Sequence, residues 1–137
     1  MEAMVINELP LLEKQLRSEE LIDREVAATR LAQAGHDGVR MLAAIAIDAN
    51  ASPASRLTAL RHLPADEEAV PVLRLLLNDP LATLRHGALN KVEDARARAL
   101  IPLIRKLTAD PATYWDLDEE IVIGAVASRV LASLSSA

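Results

Sequence analysis

Apolar positions recur along this chain at helical spacing, and the pattern itself repeats. Gly38 to Ala49 reads GVRMLAAIAIDA, Ala69 to Pro80 reads AVPVLRLLLNDP and Leu100 to Pro111 reads LIPLIRKLTADP, each block beginning 31 residues after the last. Val39, Val70 and Ile101 align, as do Leu42, Leu73 and Ile104, then Ile45, Leu76 and Leu107. That is an apolar stripe at i, i+3, i+6, the signature of one helix face. Pro71 and Pro102 fall near the helix starts, where a missing N–H costs little. Each block closes on an acid: Asp48, Asp79 or Asp110. Leu9, Pro10, Leu12 and Leu16 form a looser copy, predicting a fourth such helix at the start of the chain.

Second helices of a different stamp lie between these blocks. Arg56, Ala59, Leu60 and Leu63 match Arg85, Ala88, Leu89 and Val92, and also Arg24, Ala27, Ala28 and Leu31. Small alanines let neighbouring helices approach closely. Ser52 before Pro53, Asp79 before Pro80, Gly35 after the first pair, and Asp116 with Glu119 as a capping box supply the expected starts and stops. The pattern predicts four helix pairs, eight helices in all, in an all-α chain.

The stretch DEEAVPVLRLLLNDPLATLRHGALNKV, Asp66 to Val92, resembles a HEAT repeat of the short bacterial type found in phycobilin lyase subunits. The residues that carry the resemblance are Val70, Pro71, Leu73, Asp79, Arg85, Ala88 and Leu89. It extends to Leu100 to Asp110 and to Gly38 to Leu63, and fades at both ends, where Ile123 occupies the arginine column. The resemblance implies a single domain over residues 1–137, a right-handed α-solenoid with approximate repeats 2–35, 36–64, 65–94 and 95–137. It also implies that the repeated aspartates bond helix-start amides and pair with the arginine of the same or next repeat, here Arg56 and Arg85, a structural duty. Second helices of such solenoids line the concave surface.

Along those helices Arg30, His62, Lys91 and Arg129 share one position, beside a polar column of Thr29, Arg61, Asn90 and Ser128. With helices about 10 Å apart, the first column spans about 30 Å. Pro53 to Leu63 and Pro80 to Val92 contain no acid that would neutralise it. Arg30, Arg61, His62, Asn90, Lys91 and Arg129 are therefore the candidate contacts for an acidic peptide or protein surface. The competing reading is an ordinary solvated face. Tyr114 and Trp115, in an atypical loop before the last helix, are either a second contact point or an inward-folded filler.

Composition narrows the function. Apolar residues make up 51% of the chain but aromatics only 1%, so the core is aliphatic. The absence of cysteine excludes disulfides, thiolate metal sites and thiol catalysis. A formal charge of −5 argues against general binding to nucleic-acid phosphates. The start, MEAMVINELPLLEKQL, lacks the charged lead of a signal peptide, and no apolar run reaches the roughly 20 residues of a membrane span. A cytoplasmic setting is expected. His36, His62 and His86 form no i, i+4 ligand pair, and no nucleophile elbow or phosphate-binding glycine loop exists. The acidic clusters at 66–68 and 118–120 read as helix caps. Neither a metal, a cofactor nor a catalytic constellation is expected.

The leading reading is a non-enzymatic protein-interaction scaffold. The alternative, implied by the resemblance, is a subunit that handles a bilin chromophore. A third, a relative of DNA-binding HEAT-like glycosylases, rests on Trp115 beside Asp116 and is opposed by the acidic total. The last helix, IVIGAVASRVLASL, carries apolar residues on more than one face, including Ile121, Val122, Val126 and Leu131. That points to a covering loop or to homodimerisation through this end.

Overall fold

The computed structural model describes residues 8–136. The start of the chain, residues 1–7, from which the absence of a leader is expected, lies outside the described residues. The described residues hold eight α-helices and one two-stranded sheet, and the chain divides into two units, Met1–Pro64 and Ala65–Ala137. No helix among them is long and apolar enough to cross a membrane.

The first unit contains α1 (Leu9–Leu16), α2 (Leu21–Ala32), α3 (Gly35–Ala46) and α4 (Pro53–His62). Pro10 lies in the first turn of α1 and Pro53 in that of α4. Ser52 caps α4, its side chain accepting from the Ser55 amide at 3.1 Å. The core is aliphatic: Leu12, Leu16, Ala27, Ala28, Leu31, Leu42, Ile45, Ala59 and Leu60 are buried. Helix α2 packs against α1, α3 and α4, and its alanines permit that. Gly38 permits a closer approach still, since a Cβ there would stand 2.0 Å from the Leu31 carbonyl oxygen.

The second unit contains α5 (Val70–Leu76), α6 (Ala82–Ala95), α7 (Ile101–Leu107) and α8 (Ile123–Ser135), with single 3-10 turns leading into α5 and α7. Asp66 holds the first of those turns, accepting from the Glu68 amide. Helix α6 ends in a Schellman motif, Ala97 N–H to Val92 O and Arg96 N–H to Glu93 O, with Arg96 at φ 53° in the place usually taken by glycine. The Arg96 guanidinium donates to Ser133 Oγ and O, which ties the end of α6 to α8. Gly124 lets α8 lie against the turn after α7, where a Cβ would stand 2.6 Å from the Thr108 carbonyl oxygen.

The sequence expectation fails in one segment. The link before α8 is not an irregular loop but an antiparallel hairpin, β1 (Thr113–Asp116) and β2 (Glu119–Val122), paired Thr113 with Val122, Tyr114 with Ile121, Trp115 with Glu120 and Asp116 with Glu119. Asp116 and Glu119 therefore flank a two-residue turn and form no capping box. Glu119 and Glu120 lie in a strand rather than capping a helix, and α8 starts two residues later than the apolar run suggested. The physical reason is local: Thr113, Tyr114, Trp115 and the Ile121–Val122 pair are β-branched or aromatic, and they pair across the turn. Much of the apolar surface of α8 is also drawn inward. Ile123 and Val130 are buried, Ile121, Val126 and Leu131 are half-buried, and Val122 stays exposed.

Candidate functional site

Three aspartates organise the turns between helices. Asp48, Asp79 and Asp110 each accept, at 2.9 Å, the amide two residues onward, from Asn50, Leu81 and Ala112. These are Asx turns, which replace the hydrogen bonds a helix end lacks. One expected arginine partner is present and one aspartate has an additional one. Arg85 Nε reaches Asp110 at 2.9 Å, Asp48 is bonded at 3.1 Å by Arg17 of α1 and also feels the charge of Arg56, and Arg56 Nε donates to the Ala46 carbonyl. The Asn50 amide and Arg17 hold the Asp48 carboxyl below its usual range, and Arg17 is raised by the same contact.

Around these turns the arginine column repeats its hydrogen bonds. Arg24 Nη1 donates to the carbonyls of Ser18 and Glu19, six and five residues back. Arg85 Nη1 donates to Asp79 and Pro80 at the same two offsets.

The exposed faces of the second helices carry the predicted contacts. In the first unit Arg30 pairs with Glu8 at 2.9 Å, while Arg61 and His62 share Glu25, at 2.5 and 2.8 Å. Partial burial pushes the Glu25 carboxyl up, but the hydrogen bonds from His62 and Arg61 outweigh it and leave the group below its usual range. Thr29 bonds back to the Glu25 carbonyl within its own helix. In the second unit Arg129 Nη1 meets Glu93 at 2.7 Å and Nη2 meets Asn90 Oδ1 at 3.0 Å, and Arg129 lowers the Glu93 carboxyl. Ser128 bonds the Gly124 carbonyl, and Lys91 is half-buried.

The structure thus brings Arg61 together with His62, and Asn90 with Arg129. It also supplies what the sequence reading missed: Glu8, Glu25 and Glu93 lie opposite the basic positions. Glu25 and Glu93 sit on α2 and α6, so no inspection of α4 or α8 alone would find them. In each unit the pair joins consecutive second helices, α2 to α4 and α6 to α8. The face is a set of organised ion pairs rather than bare positive charge.

Tyr114 and Trp115 separate. Tyr114 turns inward, its hydroxyl bonded to His86 Nδ1, with the two rings 5.6 Å apart. Burial raises the Tyr114 phenol, helped by Asp116, so the hydroxyl is the donor. Burial and then Arg129 lower His86, against a smaller opposing effect of Asp116 and Glu119, so the ring is neutral near pH 7 and accepts at Nδ1. Trp115 points to solvent, 67% exposed.

Two hollows bear on ligands. One, of about 560 Å³, is lined by Leu11 and otherwise by polar or charged groups including Lys14, Arg17, Glu19 and Asp23. The other, of about 240 Å³, lies between β2 and α8. Among the described residues no group of three or more His, Asp or Glu side chains is arranged to hold a metal. No protein-family model matches the chain, and no curated protein matches it.

Proposed function

We propose that this chain is a non-enzymatic interaction module of the HEAT-like solenoid kind, binding an acidic peptide or protein surface on its second-helix faces. Three features support the repeat reading: the recurring Asx turns at Asp48, Asp79 and Asp110, the equivalent carbonyl bonds of Arg24 and Arg85, and the packing of second helix on second helix within each unit.

The observation that carries the binding reading is the pair of exposed arginines, Arg61 and Arg129, held in place by Glu25 and Glu93. Each guanidinium is positioned in advance, so a partner carboxylate need not immobilise it, which lowers the entropic cost of docking. An exposed ion pair is worth only about 0 to 1 kcal/mol, so exchanging an internal carboxylate for a partner's costs little. Because the face is internally compensated, long-range steering is weak, and binding should depend on salt less than a bare basic groove would.

The test compares the chain with a variant carrying Arg30→Ala, Arg61→Ala, His62→Ala, Lys91→Ala and Arg129→Ala, both immobilised and exposed to lysate. Acidic proteins retained only by the parent, with variant helicity unchanged, are the expected result. Equal retention by both proteins removes these faces from the function.

A further inference from the structure

The hairpin has two unlike faces. Strand alternation puts Tyr114, Asp116, Glu119 and Ile121 on one side and Thr113, Trp115, Glu120 and Val122 on the other. The first side is anchored: Tyr114 is bonded to His86, and Tyr114 and Ile121 are half-buried. The second side is open, with Trp115 directly across from Glu120 and Val122 exposed beside them. At the turn Leu117 is 94% exposed and held at φ 55°, a conformation that costs a leucine energy and here gains it no burial.

Charge gives this surface a sign. Glu120 shares the face of Trp115 and Asp118 lies beside Leu117 at the turn, while Asp116 and Glu119 are on the opposite face; none of the four is in an ion pair among the described residues, whereas Glu25, Glu93 and Asp110 all are. The open face runs on into the hollow of about 240 Å³, walled by Glu120, Val122, Ala125 and Val126 and bordered by Arg129, whose guanidinium is paired with Glu93. That volume lies below the roughly 300 Å³ of small-molecule pockets and suits one inserted side chain.

We propose that this face docks a cationic segment of a protein partner, with an arginine or lysine over the Trp115 indole and against Glu120, and an apolar neighbour seated beside Val122 and Val126. A cation over an indole gains from the ring quadrupole as well as from the carboxylate opposite. Tyr114, fixed to His86, holds the strand that presents Trp115. The partner is opposite in charge to the one proposed for the second-helix faces; the two surfaces meet at Arg129, and substitutions at Trp115 and Glu120 test this reading without altering that residue.

The test selects a random peptide library against the immobilised full chain, then titrates each winner while following emission from Trp115, the single tryptophan. Winners should carry net positive charge and an apolar residue. They should shift Trp115 emission saturably, and bind at least about tenfold more weakly to Glu120→Lys, with far-UV circular dichroism unchanged, and to Trp115→Ala by competition, a loss equivalent to one decade in Kd. Acidic or neutral winners, winners indifferent to both substitutions, or no winners at all would overturn the proposal.

Discussion

Arg24 in α2 and Arg85 in α6 occupy the same place in the repeat and make the same two carbonyl bonds, yet they end differently. Arg85 Nε finds Asp110, with both side chains largely buried at 12% and 14% exposure. Arg24 Nε is buried and has no hydrogen-bond partner among the described residues, while Asp48, the counterpart of Asp110, is taken by Arg17. Identical residues at identical local spacing are therefore satisfied in one unit and left wanting in the other. The repeat specifies the arginine and the aspartate, but the placement of a third group decides whether they meet.

The comparison predicts unequal costs for removing each arginine. Arg85→Ala strips Asp110 of its cation and leaves two turn carbonyls unpaired; a loss of about 3 kcal/mol is expected from the urea midpoint of the full chain. Arg24→Ala likewise frees two carbonyls, of Ser18 and Glu19, but strips no carboxylate of its cation and removes an already unpaired buried Nε, so a smaller loss, of about 1 to 2 kcal/mol, is expected in the same measurement. Equal losses for the two would break the comparison. Arg17→Ala sharpens it: the pair with Asp48 is solvent-exposed and Asp48 keeps the Asn50 amide and the field of Arg56, so the urea midpoint should move less than in either of the other two variants.

A pH titration finds a carboxylate phase in both units, Glu93 being lowered in the second, and a histidine phase in the second alone. In the first, Asp48 and Glu25 have folded-state values below their unfolded ones; their contribution is complete above the ordinary carboxylate range and is lost as pH falls through the lowered values. In the second, His86 is also lowered, so the unfolded chain takes up its proton first, and stability begins to fall already below about pH 6.5. Trp115 emission should report that earlier change at the hairpin. In His86→Asn the early phase should vanish while the carboxylate phase remains. This is the smallest of the expected effects.

The opposed treatment of Tyr114 and Trp115 shows where local reading stops. Both were visible as the aromatics of an irregular insertion, and the alternation of Thr113, Tyr114 and Trp115 against Ile121 and Val122 was available as a strand signal. The turn Leu117–Asp118 lacks the Asn-Gly or Asp-Gly that marks a two-residue hairpin, and the adjacent helix run absorbed Ile121 and Val122. Glu25 and Glu93 were equally hidden, because each meets an arginine 36 residues away on another helix. Ion pairs of that kind leave no local periodicity.

By itself the sequence determined the succession of eight helices, the aliphatic core positions Leu42, Leu73 and Ile104 with Ala27, Ala59 and Ala88, and the aspartate turns. Those follow from the 3.6-residue period, small-residue packing and short-range hydrogen bonds, all written within a few residues of chain. Only the tertiary structure decided which arginine meets which carboxylate, that the basic columns are compensated, and that Trp115 faces out while Tyr114 faces in. Those outcomes depend on where separate helices and strands place their side chains, and a change of register or rotation of a single element moves every such contact without altering its pattern.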